Sequence, residues 1–346
     1  MLVDNGAVLN GQFPAAKLND AATKANVGLV KRRPKCHWIA ILYLANFAAE
    51  ARRVELGFIG LGLMGKPMVR HLLTAGHRVH IHNRSRSVVD ELAGAGAIPA
   101  ASPSEVAARA HIVMTCLPNT DQVERVYFGA DGLVPAMRAG QLFIDHSTVG
   151  LDTTKRCDDG CRARGGTFLD APVSGGPAGA TAATLTIMVG GDAATFERAR
   201  PIFDVLGKNV RHCGPSGAGS AIKLVNQLLV AINMAGVAEA LAFGVKAGAS
   251  IQTILEVVGT GFGGSRMLER AVPIIQKRDF KPGTAVNLIL KDLGLINALA
   301  GTIGCRLDMA QRAEEVFQAG RDTGLGDDDM AGLVRQFEKA AGVAVS

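Results

Sequence analysis

Short apolar runs alternate with amphipathic stretches of helical periodicity from residue 54 to about residue 215. Runs of this length and composition are typical of buried strands, and the stretches between them are typical of covering helices. The predicted strands are 56–59, 79–81, 112–116, 142–145, 167–170 and 185–189, and the predicted helices include 66–75, 87–95, 120–127 and 192–206. The alternation predicts an α/β fold with a doubly wound parallel sheet.

The pattern changes after Gly217, where no further strand pattern occurs. Helical periodicity predicts helices at 218–246, 251–258, 266–276, 286–300, 307–320 and 327–341. The first of these is apolar on most faces, which predicts a helix buried between two domains. We therefore expect one domain at 54–216 and an all-α C-terminal domain at 217–346.

Residues 1–53 match neither pattern. Their apolar run at 38–47 is about half of the roughly 20 residues that a membrane span needs. A secretory signal is a poor match because about thirty residues precede the basic cluster at 31–35, and no serine precedes Ser85, unlike an organellar presequence. We interpret 1–53 as an extension that is disordered or a non-native start, translated from an upstream start codon.

Composition narrows the class of protein. The 346 residues are 48% hydrophobic and 20% charged, as expected for two globular domains with their own cores. The net charge is +6, but residues 1–53 carry +5 of it, so the remainder has no basic surface for nucleic acid. The six cysteines lack CxxC or zinc-type spacing, which favours a reducing, cytoplasmic location and no metal.

A glycine-rich turn joins the first predicted strand to the first predicted helix. Residues 57–68 read GFIGLGLMGKPM, which contains the pattern GxGxxG. In a strand–turn–helix context, these glycines allow close approach of a pyrophosphate to the helix N-terminus. The pattern favours a Rossmann-type dinucleotide site over a turn without a ligand. The residues predicted to contact the cofactor here are Gly60, Gly62, Leu63, Met64 and Gly65.

The second predicted strand ends at the turn Asn83, Arg84, Ser85, where an NAD site usually carries an acidic residue. No acid is present, and the guanidinium groups of Arg84 and Arg86 are suited to a ribose 2′-phosphate. The turn therefore favours NADP(H), with NAD(H) as the alternative. A solvated loop without any ligand also remains open on these residues alone.

Two further motifs carry candidate chemistry. Residues 170–180 place Ser174, Gly175 and Gly176 after a predicted strand, where their N–H groups can bind an anion, although the glycines also suit a tight turn.

Lys223 shares one face of an apolar helix with Asn226 and Gln227. Because a lysine in such surroundings is costly unless it has a function, it is a candidate catalytic residue. By itself, the pair Lys291-Asp292 is typical of a solvated surface.

Together these motifs, in this order, resemble the β-hydroxyacid dehydrogenase family, which includes 3-hydroxyisobutyrate dehydrogenases and tartronate semialdehyde (2-hydroxy-3-oxopropionate) reductases. The resemblance covers residues 54 to about 342. It implies that Lys223 is the catalytic lysine and that Asn226 orients the substrate. The other roles it implies are substrate binding by Ser174, Gly175, Gly176 and Gln227, and cofactor contact by Leu117, Pro118, Ser147, Thr148 and Lys291.

The resemblance also implies an activity, in which a nicotinamide cofactor reduces a small semialdehyde that bears a carboxylate. Details of the Asn226-Gln227 pair and of residues 279–283 favour tartronate semialdehyde, which would give glycerate. Oxidation of 3-hydroxyisobutyrate, threonate or another 3-hydroxy acid is the alternative, and a non-catalytic nucleotide-binding module is the alternative from another class. Family members usually form dimers or tetramers through the helical domain, and we expect no membrane or nucleic-acid partner.

Overall fold

The structure, a computed structural model, describes residues 54–346, so the predicted extension at 1–53 lies outside the described residues. The strands are β1 Glu55–Ile59, β2 Arg78–His82, β3 Ile98–Pro99, β4 Ile112–Thr115, β5 Leu142–Asp145, β6 Thr167–Asp170, β7 Val173–Ser174, β8 Leu185–Gly190 and β9 Gly207–Gly214. The helices among them are α1 Gly65–Thr74, α2 Arg86–Gly94, α3 Pro103–Arg109, α4 Thr120–Phe128, α5 Leu133–Ala136, α6 Leu151–Ala163, α7 Gly176–Thr181 and α8 Ala193–Leu206. The C-terminal helices are α9 Ala218–Lys246, α10 Ile251–Val258, α11 Arg266–Lys277, α12 Val286–Ile303, α13 Asp308–Gly320 and α14 Val334–Ala341.

The sheet has the strand order β3-β2-β1-β4-β5-β6-β8-β7, and β9 pairs with β8. Strands β1 to β6 run parallel, so their carboxyl ends meet at one edge. All four residues of β5 are buried, as expected for a central strand covered by helices on both faces. The fold is therefore a Rossmann-type, mainly parallel sheet followed by a helical domain, as predicted. The domain boundary at 216–217 itself stays a prediction.

The last part of the sheet differs from the predicted parallel arrangement. Strand β8 is antiparallel to β6 and β7. Only the short helix α7 and its turns separate β7 from β8, and a parallel crossover needs about a dozen residues or more. Strand β9 was not predicted, because apolar and polar residues do not alternate regularly along it. Lys208, Asn209 and Arg211, for example, are polar and exposed.

The helical domain is built around α9, which is 29 residues long. Helices α9 and α12 are long and apolar enough, by length and composition, to cross a membrane, but both supply side chains to the domain's hydrophobic core. The prediction that α9 is buried holds for one face only. Ile222, Val225 and Leu229 are 48%, 55% and 53% exposed on the other face.

The helix predicted at 327–341 begins later than predicted. Met330–Leu333 forms a 3-10 turn, and α14 begins only at Val334. The cause is Asp329, whose buried carboxylate accepts hydrogen bonds from Arg270 and from the backbone N–H groups of Gly283 and Ala331. Asp329 thus ties this turn to two other segments and caps its first N–H groups, so the helix begins only after Asp329.

Candidate active site

The glycine-rich turn after β1 is closely packed on one side and open on the other. Gly60 has a φ of 96°, and a Cβ on it would overlap the carbonyl oxygen of Cys116. A Cβ on Gly65 would overlap the carbonyl oxygen of Gly60, so α1 begins in contact with the turn. A Cβ on Gly62 would meet no atom within 4 Å. The open side fits the pyrophosphate of a dinucleotide at the N-terminus of α1.

The two other predicted cofactor turns meet each other. The backbone N–H of Leu117 donates a hydrogen bond to Ser147 Oγ at 2.9 Å. Ser147 Oγ and Thr115 Oγ1 in turn donate to the buried carboxylate of Asp145, each at 2.6 Å. Burial raises the pKa of Asp145, although the hydrogen bonds from Ser147 and Thr115 oppose the rise. Asp145 therefore fixes both turns at the carboxyl edge of the sheet.

The turn after β2 presents polar groups to the same edge. Asn83 Oδ1 accepts a hydrogen bond from the backbone N–H of Leu61, 3.0 Å away, so Asn83 is held against the glycine-rich turn. Arg86 pairs with Asp90 at 3.0 Å. Arg84 is exposed and makes no ion pair with any residue that the structure describes. Of the two arginines, Arg84 could thus bind a cofactor phosphate without giving up an ion pair, whereas Arg86 already pairs with Asp90.

The predicted substrate loop and the lysine-bearing helix share one anchor, Asp170. Its carboxylate oxygens accept hydrogen bonds from the backbone N–H groups of Gly217, at 2.8 Å, and Ser220, at 2.7 Å. Asp170 also ends β6, four residues before Ser174. Burial raises the pKa of Asp170, against the hydrogen bonds that these N–H groups donate. One side chain thus fixes the start of α9 relative to the loop that contains Ser174, Gly175 and Gly176.

Lys223 lies on the buried face of α9, with only 7% of its surface exposed. Its Nζ donates a hydrogen bond to Gln227 Oε1 at 2.7 Å, and Asn226 Nδ2 donates to the same oxygen at 2.9 Å. Burial lowers the pKa of Lys223 to about 8, and the negative charge of Asp292 opposes that shift. With such a pKa, both forms of Lys223 exist near neutral pH, and the ammonium can give a proton while the neutral amine can take one.

Helix α12 brings a charged pair, Lys291 and Asp292, close to Lys223. Gln227 Nε2 donates to Asp292 Oδ2 at 2.5 Å, and Asp292 is only 2% exposed. Lys291 Nζ donates to the carbonyl oxygen of Thr148 at 2.9 Å. The same Nζ lies 2.9 Å from Asp292 Oδ1, but off the direction of a hydrogen bond, so this oxygen has no hydrogen-bond partner among residues 54–346.

The structure thus brings Lys223, Asn226, Gln227, Lys291 and Thr148 into one network. Asp170 connects this network to the loop that contains Ser174, Gly175 and Gly176, because it anchors the start of α9. Within residues 54–346, the loop makes no direct hydrogen bond to Lys223. Sequence reasoning missed two residues. Asp292 was interpreted as a solvated charge, and Asp170 received no role, although a carboxylate that ends a buried strand is a signal for a capping or site residue.

The chain is similar to known protein families over both of its domains. Residues 55–214 match the family model for the NAD binding domain of 6-phosphogluconate dehydrogenase. Residues 217–337 match the model for the NAD-binding domain of NADP-dependent 3-hydroxyisobutyrate dehydrogenase. The two matches together cover nearly all of the described residues, and each is centred on one of the two domains.

Three relatives illustrate the range of similarity. The chain is 40% identical to 2-(hydroxymethyl)glutarate dehydrogenase of Eubacterium barkeri, over 85% of this chain and 98% of that protein. It is 40% identical to 2-hydroxy-3-oxopropionate reductase of Escherichia coli K12, over 83% and 98%. A solved structure of Mycobacterium tuberculosis 3-hydroxyisobutyrate dehydrogenase with L-serine has a TM-score of 0.75 and 33% identity, over 82% and 99%. All three are named dehydrogenases or reductases, and the substrates in their names differ.

Proposed function

This chain belongs to the 3-hydroxyisobutyrate dehydrogenase-like family of β-hydroxyacid dehydrogenases, and we propose that it reduces a small carboxylate-bearing semialdehyde with NADP(H). The preferred substrate in this proposal is tartronate semialdehyde, which gives glycerate. Membership of a family of dehydrogenases makes the chain an oxidoreductase, so the alternative of a non-catalytic module is not retained.

The proposal rests mainly on the burial and the lowered pKa of Lys223. Its ammonium is buried, its pKa is lowered to about 8, and it lies among residues from both domains. A structural lysine gains nothing from this position, because burial of an ammonium costs free energy. A general acid with a pKa near the working pH is, by contrast, what carbonyl reduction requires.

The mechanism follows from the charge that develops during reduction. A nicotinamide cofactor, held by the glycine-rich turn that contains Gly60, Gly62 and Gly65, would supply the hydride for the carbonyl carbon. Negative charge then grows on the carbonyl oxygen, and Lys223 stabilises it and donates its proton, leaving a hydroxyl group and a neutral amine. In oxidation, the neutral amine takes the hydroxyl proton. The N–H groups of Ser174, Gly175 and Gly176 hold the substrate carboxylate, and Asn226 orients the reacting carbon.

The preference for NADP(H) rests on the turn after β2. Arg84 is exposed and has no ion-pair partner among the described residues, and Asn83 takes the place of the acid that would repel a 2′-phosphate. We assign the remaining cofactor contacts to Gly60, Gly62, Leu63, Met64, Gly65, Ser85, Leu117, Pro118, Ser147, Thr148 and Lys291. NAD(H) remains the second candidate.

The preference among substrates rests on the Asn226-Gln227 pair and on similarity to 2-hydroxy-3-oxopropionate reductase. A second candidate is oxidation of a 3-hydroxy acid, such as 3-hydroxyisobutyrate or threonate. It is favoured by the names of other relatives, which include 3-hydroxyisobutyrate and L-threonate dehydrogenases. We propose that the enzyme acts in the cytoplasm on small molecules, as a homodimer or homotetramer.

The first test is steady-state reduction of tartronate semialdehyde by the purified protein, with NADPH and NADH in parallel. The proposal expects turnover with both, and a kcat/KM about tenfold or more higher with NADPH. Turnover with NADH alone would overturn the cofactor assignment. Absence of turnover, together with rapid oxidation of another 3-hydroxy acid in a matched panel, would replace the substrate by that acid.

A further inference from the structure

The ammonium of Lys223 is connected to Asp292 through a single side chain. Gln227 Oε1 accepts the hydrogen bond from Lys223 Nζ at 2.7 Å, and Gln227 Nε2 donates to Asp292 Oδ2 at 2.5 Å. Gln227 is 7% exposed and Asp292 is 2% exposed, so water does not compete strongly for either contact. The result is a continuous bridge from an acid on α12 to a lysine on α9.

The bridge fixes which way the Gln227 amide points. Its oxygen accepts from both Lys223 and Asn226, which offer only N–H donors at these contacts. Its nitrogen faces a carboxylate, which can only accept. A flipped amide would place the oxygen against the carboxylate and the nitrogen against an ammonium. The partners therefore select one orientation, and that orientation directs Lys223 Nζ.

The charged and titratable groups that face Lys223 come from two elements besides its own. Asp292 and Lys291 approach from α12, and Cys116 approaches from the turn after β4. Asp292 favours the ammonium form of Lys223, and Lys291 disfavours it. Because Lys291 is tied to the carbonyl oxygen of Thr148, it holds its position relative to this bridge.

We propose that Gln227 is a positioning residue, which holds the Lys223 ammonium in its productive direction by an amide bridge anchored on Asp292. The role rests on the proposed function, since it concerns the same lysine. It differs from the expectation that Gln227 binds the substrate, because the amide oxygen already accepts two hydrogen bonds and one amide N–H is donated to Asp292. Loss of the bridge should change the proton affinity and orientation of Lys223 more than substrate binding.

The test uses the full-length protein and four variants. Gln227→Leu removes all three side-chain hydrogen bonds of Gln227 at nearly constant volume. Gln227→Asn keeps the amide but is one methylene too short to span Lys223 and Asp292. Asp292→Asn keeps the shape of the anchor and removes its charge. Gln141→Leu is the control, because Gln141 is equally buried and hydrogen-bonded but lies before β5, at the opposite edge of the sheet.

Two measurements separate this proposal from the proposed function. The first is the pKa of Lys223 in each protein, from the pH dependence of its acetylation by acetic anhydride, read by mass spectrometry of the peptide that contains it. This measurement needs no substrate. The second is the pH profile of kcat, together with the KM for the semialdehyde. A wild type without turnover would refute the proposed function and leave the first measurement decisive for Gln227.

The expected result has three parts. Gln227→Leu, Gln227→Asn and Asp292→Asn lower the pKa of Lys223 by roughly one unit, because each removes a group that favours the charged form. Gln227→Leu lowers kcat about 10- to 100-fold, as expected for a misdirected acid, while KM changes less than about threefold. Gln141→Leu lowers the melting temperature only.

The opposite pattern would overturn the proposal. If Gln227→Leu left the pKa of Lys223 and kcat unchanged but raised KM about tenfold or more, Gln227 would be a substrate ligand. If Gln227→Leu did not fold, Gln227→Asn and Asp292→Asn would decide the matter, and an unchanged Lys223 pKa in both would equally refute the bridge.

Discussion

At the scale of single residues, Lys223 combines a cost in stability with an expected gain in function. We expect Lys223→Met to lower kcat by about 10²- to 10⁴-fold, the usual contribution of a general acid. The variant should fold at least as well as the wild type, because the change removes a buried ammonium from apolar surroundings. Steady-state kinetics and a thermal melt measure the two effects.

The matched control for this change is Lys246→Met, an exposed lysine in the last turn of the same helix. It should retain full activity. The affinity of Lys223→Met for NADPH, measured by fluorescence titration, should stay within about threefold of the wild type. Full turnover in Lys223→Met would show that another group transfers the proton.

The lowered pKa of Lys223 also predicts opposite pH profiles for the two directions of reaction. Reduction needs the ammonium, so its kcat/KM should be constant at low pH and fall above a pH of about 8. Oxidation needs the neutral amine, so its kcat/KM should rise with pH and level off above the same value. Initial rates between about pH 6 and 10 measure both profiles. Profiles that bend in the same direction would contradict this role of Lys223.

The turn after β2 allows a test with two neighbouring arginines. Arg84→Ala should raise the KM for NADPH about tenfold and leave the KM for NADH nearly unchanged, because only NADPH carries the 2′-phosphate. Arg86→Ala should have a smaller effect, since Arg86 already pairs with Asp90. Equal effects of Arg84→Ala on both cofactors would mean that Arg84 does not contact the 2′-phosphate.

At the scale of secondary-structure elements, the position of α9 depends on its N-terminal cap. Asp170 accepts two backbone N–H groups of the first turn, so Asp170→Ala leaves both without a partner in a buried site. We expect a loss of about 2 kcal/mol in the free energy of unfolding, measured in urea, and a fall in kcat because Lys223 lies on this helix.

Asp192→Ala provides the comparison, because Asp192 caps the first turn of α8 through the N–H of Thr195 at 2.8 Å. It should cost about 1 kcal/mol and leave kcat unchanged. The two variants then separate a general loss of stability from a displacement of Lys223. Equal retention of kcat in both would show that Asp170 does not position the lysine.

The elements that sequence alone predicted, and those it missed, differ for a physical reason. The central strands and α9 were predicted within a residue or two because continuous burial leaves an apolar pattern. Strand β9 lacks this apolar pattern because many of its residues are polar and exposed. Helix α6 lacks it because several of its buried residues are polar, among them Thr153, Thr154 and Asp158. The antiparallel direction of β8 depends on connection length and pairing, which local periodicity does not report.

The residues of the candidate site differ in the same way in how visible they are in the sequence. Lys223 stood out because an isolated lysine on an apolar helix is conspicuous in the sequence. Asp292 did not, because its neighbour Lys291 made the pair look solvated, and only the packing of α12 against α9 buries it. Local motifs therefore point to the groups that we propose to perform the chemistry, while the groups that hold them in place emerge from tertiary contacts.

At the scale of the whole molecule, the site depends on contact between the sheet and the helical domain. Helix α9 packs on the sheet through its capped N-terminus, and Lys291 on α12 reaches the turn after β5. Each domain contributes groups that the other lacks: the glycine-rich turn and loop on one side, and the lysines with Asp292 on the other. Under the proposed function, either domain alone therefore lacks a complete site.

The exposed apolar face of α9 leads to the last prediction, which concerns association. Ile222, Val225 and Leu229 lie about one turn apart and are each about half exposed, next to the buried face that carries Lys223. Family resemblance predicts that a second copy of the chain covers the helical domain, and burial of these residues would supply the hydrophobic driving force. Val225→Glu with Leu229→Glu should therefore shift the protein to a smaller species in size-exclusion chromatography with light scattering.

Met309→Glu, which changes an exposed residue on α13, is the control and should leave the mass unchanged. A wild type that is already monomeric at about 100 µM would refute the predicted oligomer directly, because an interface of standard size binds far more tightly than that.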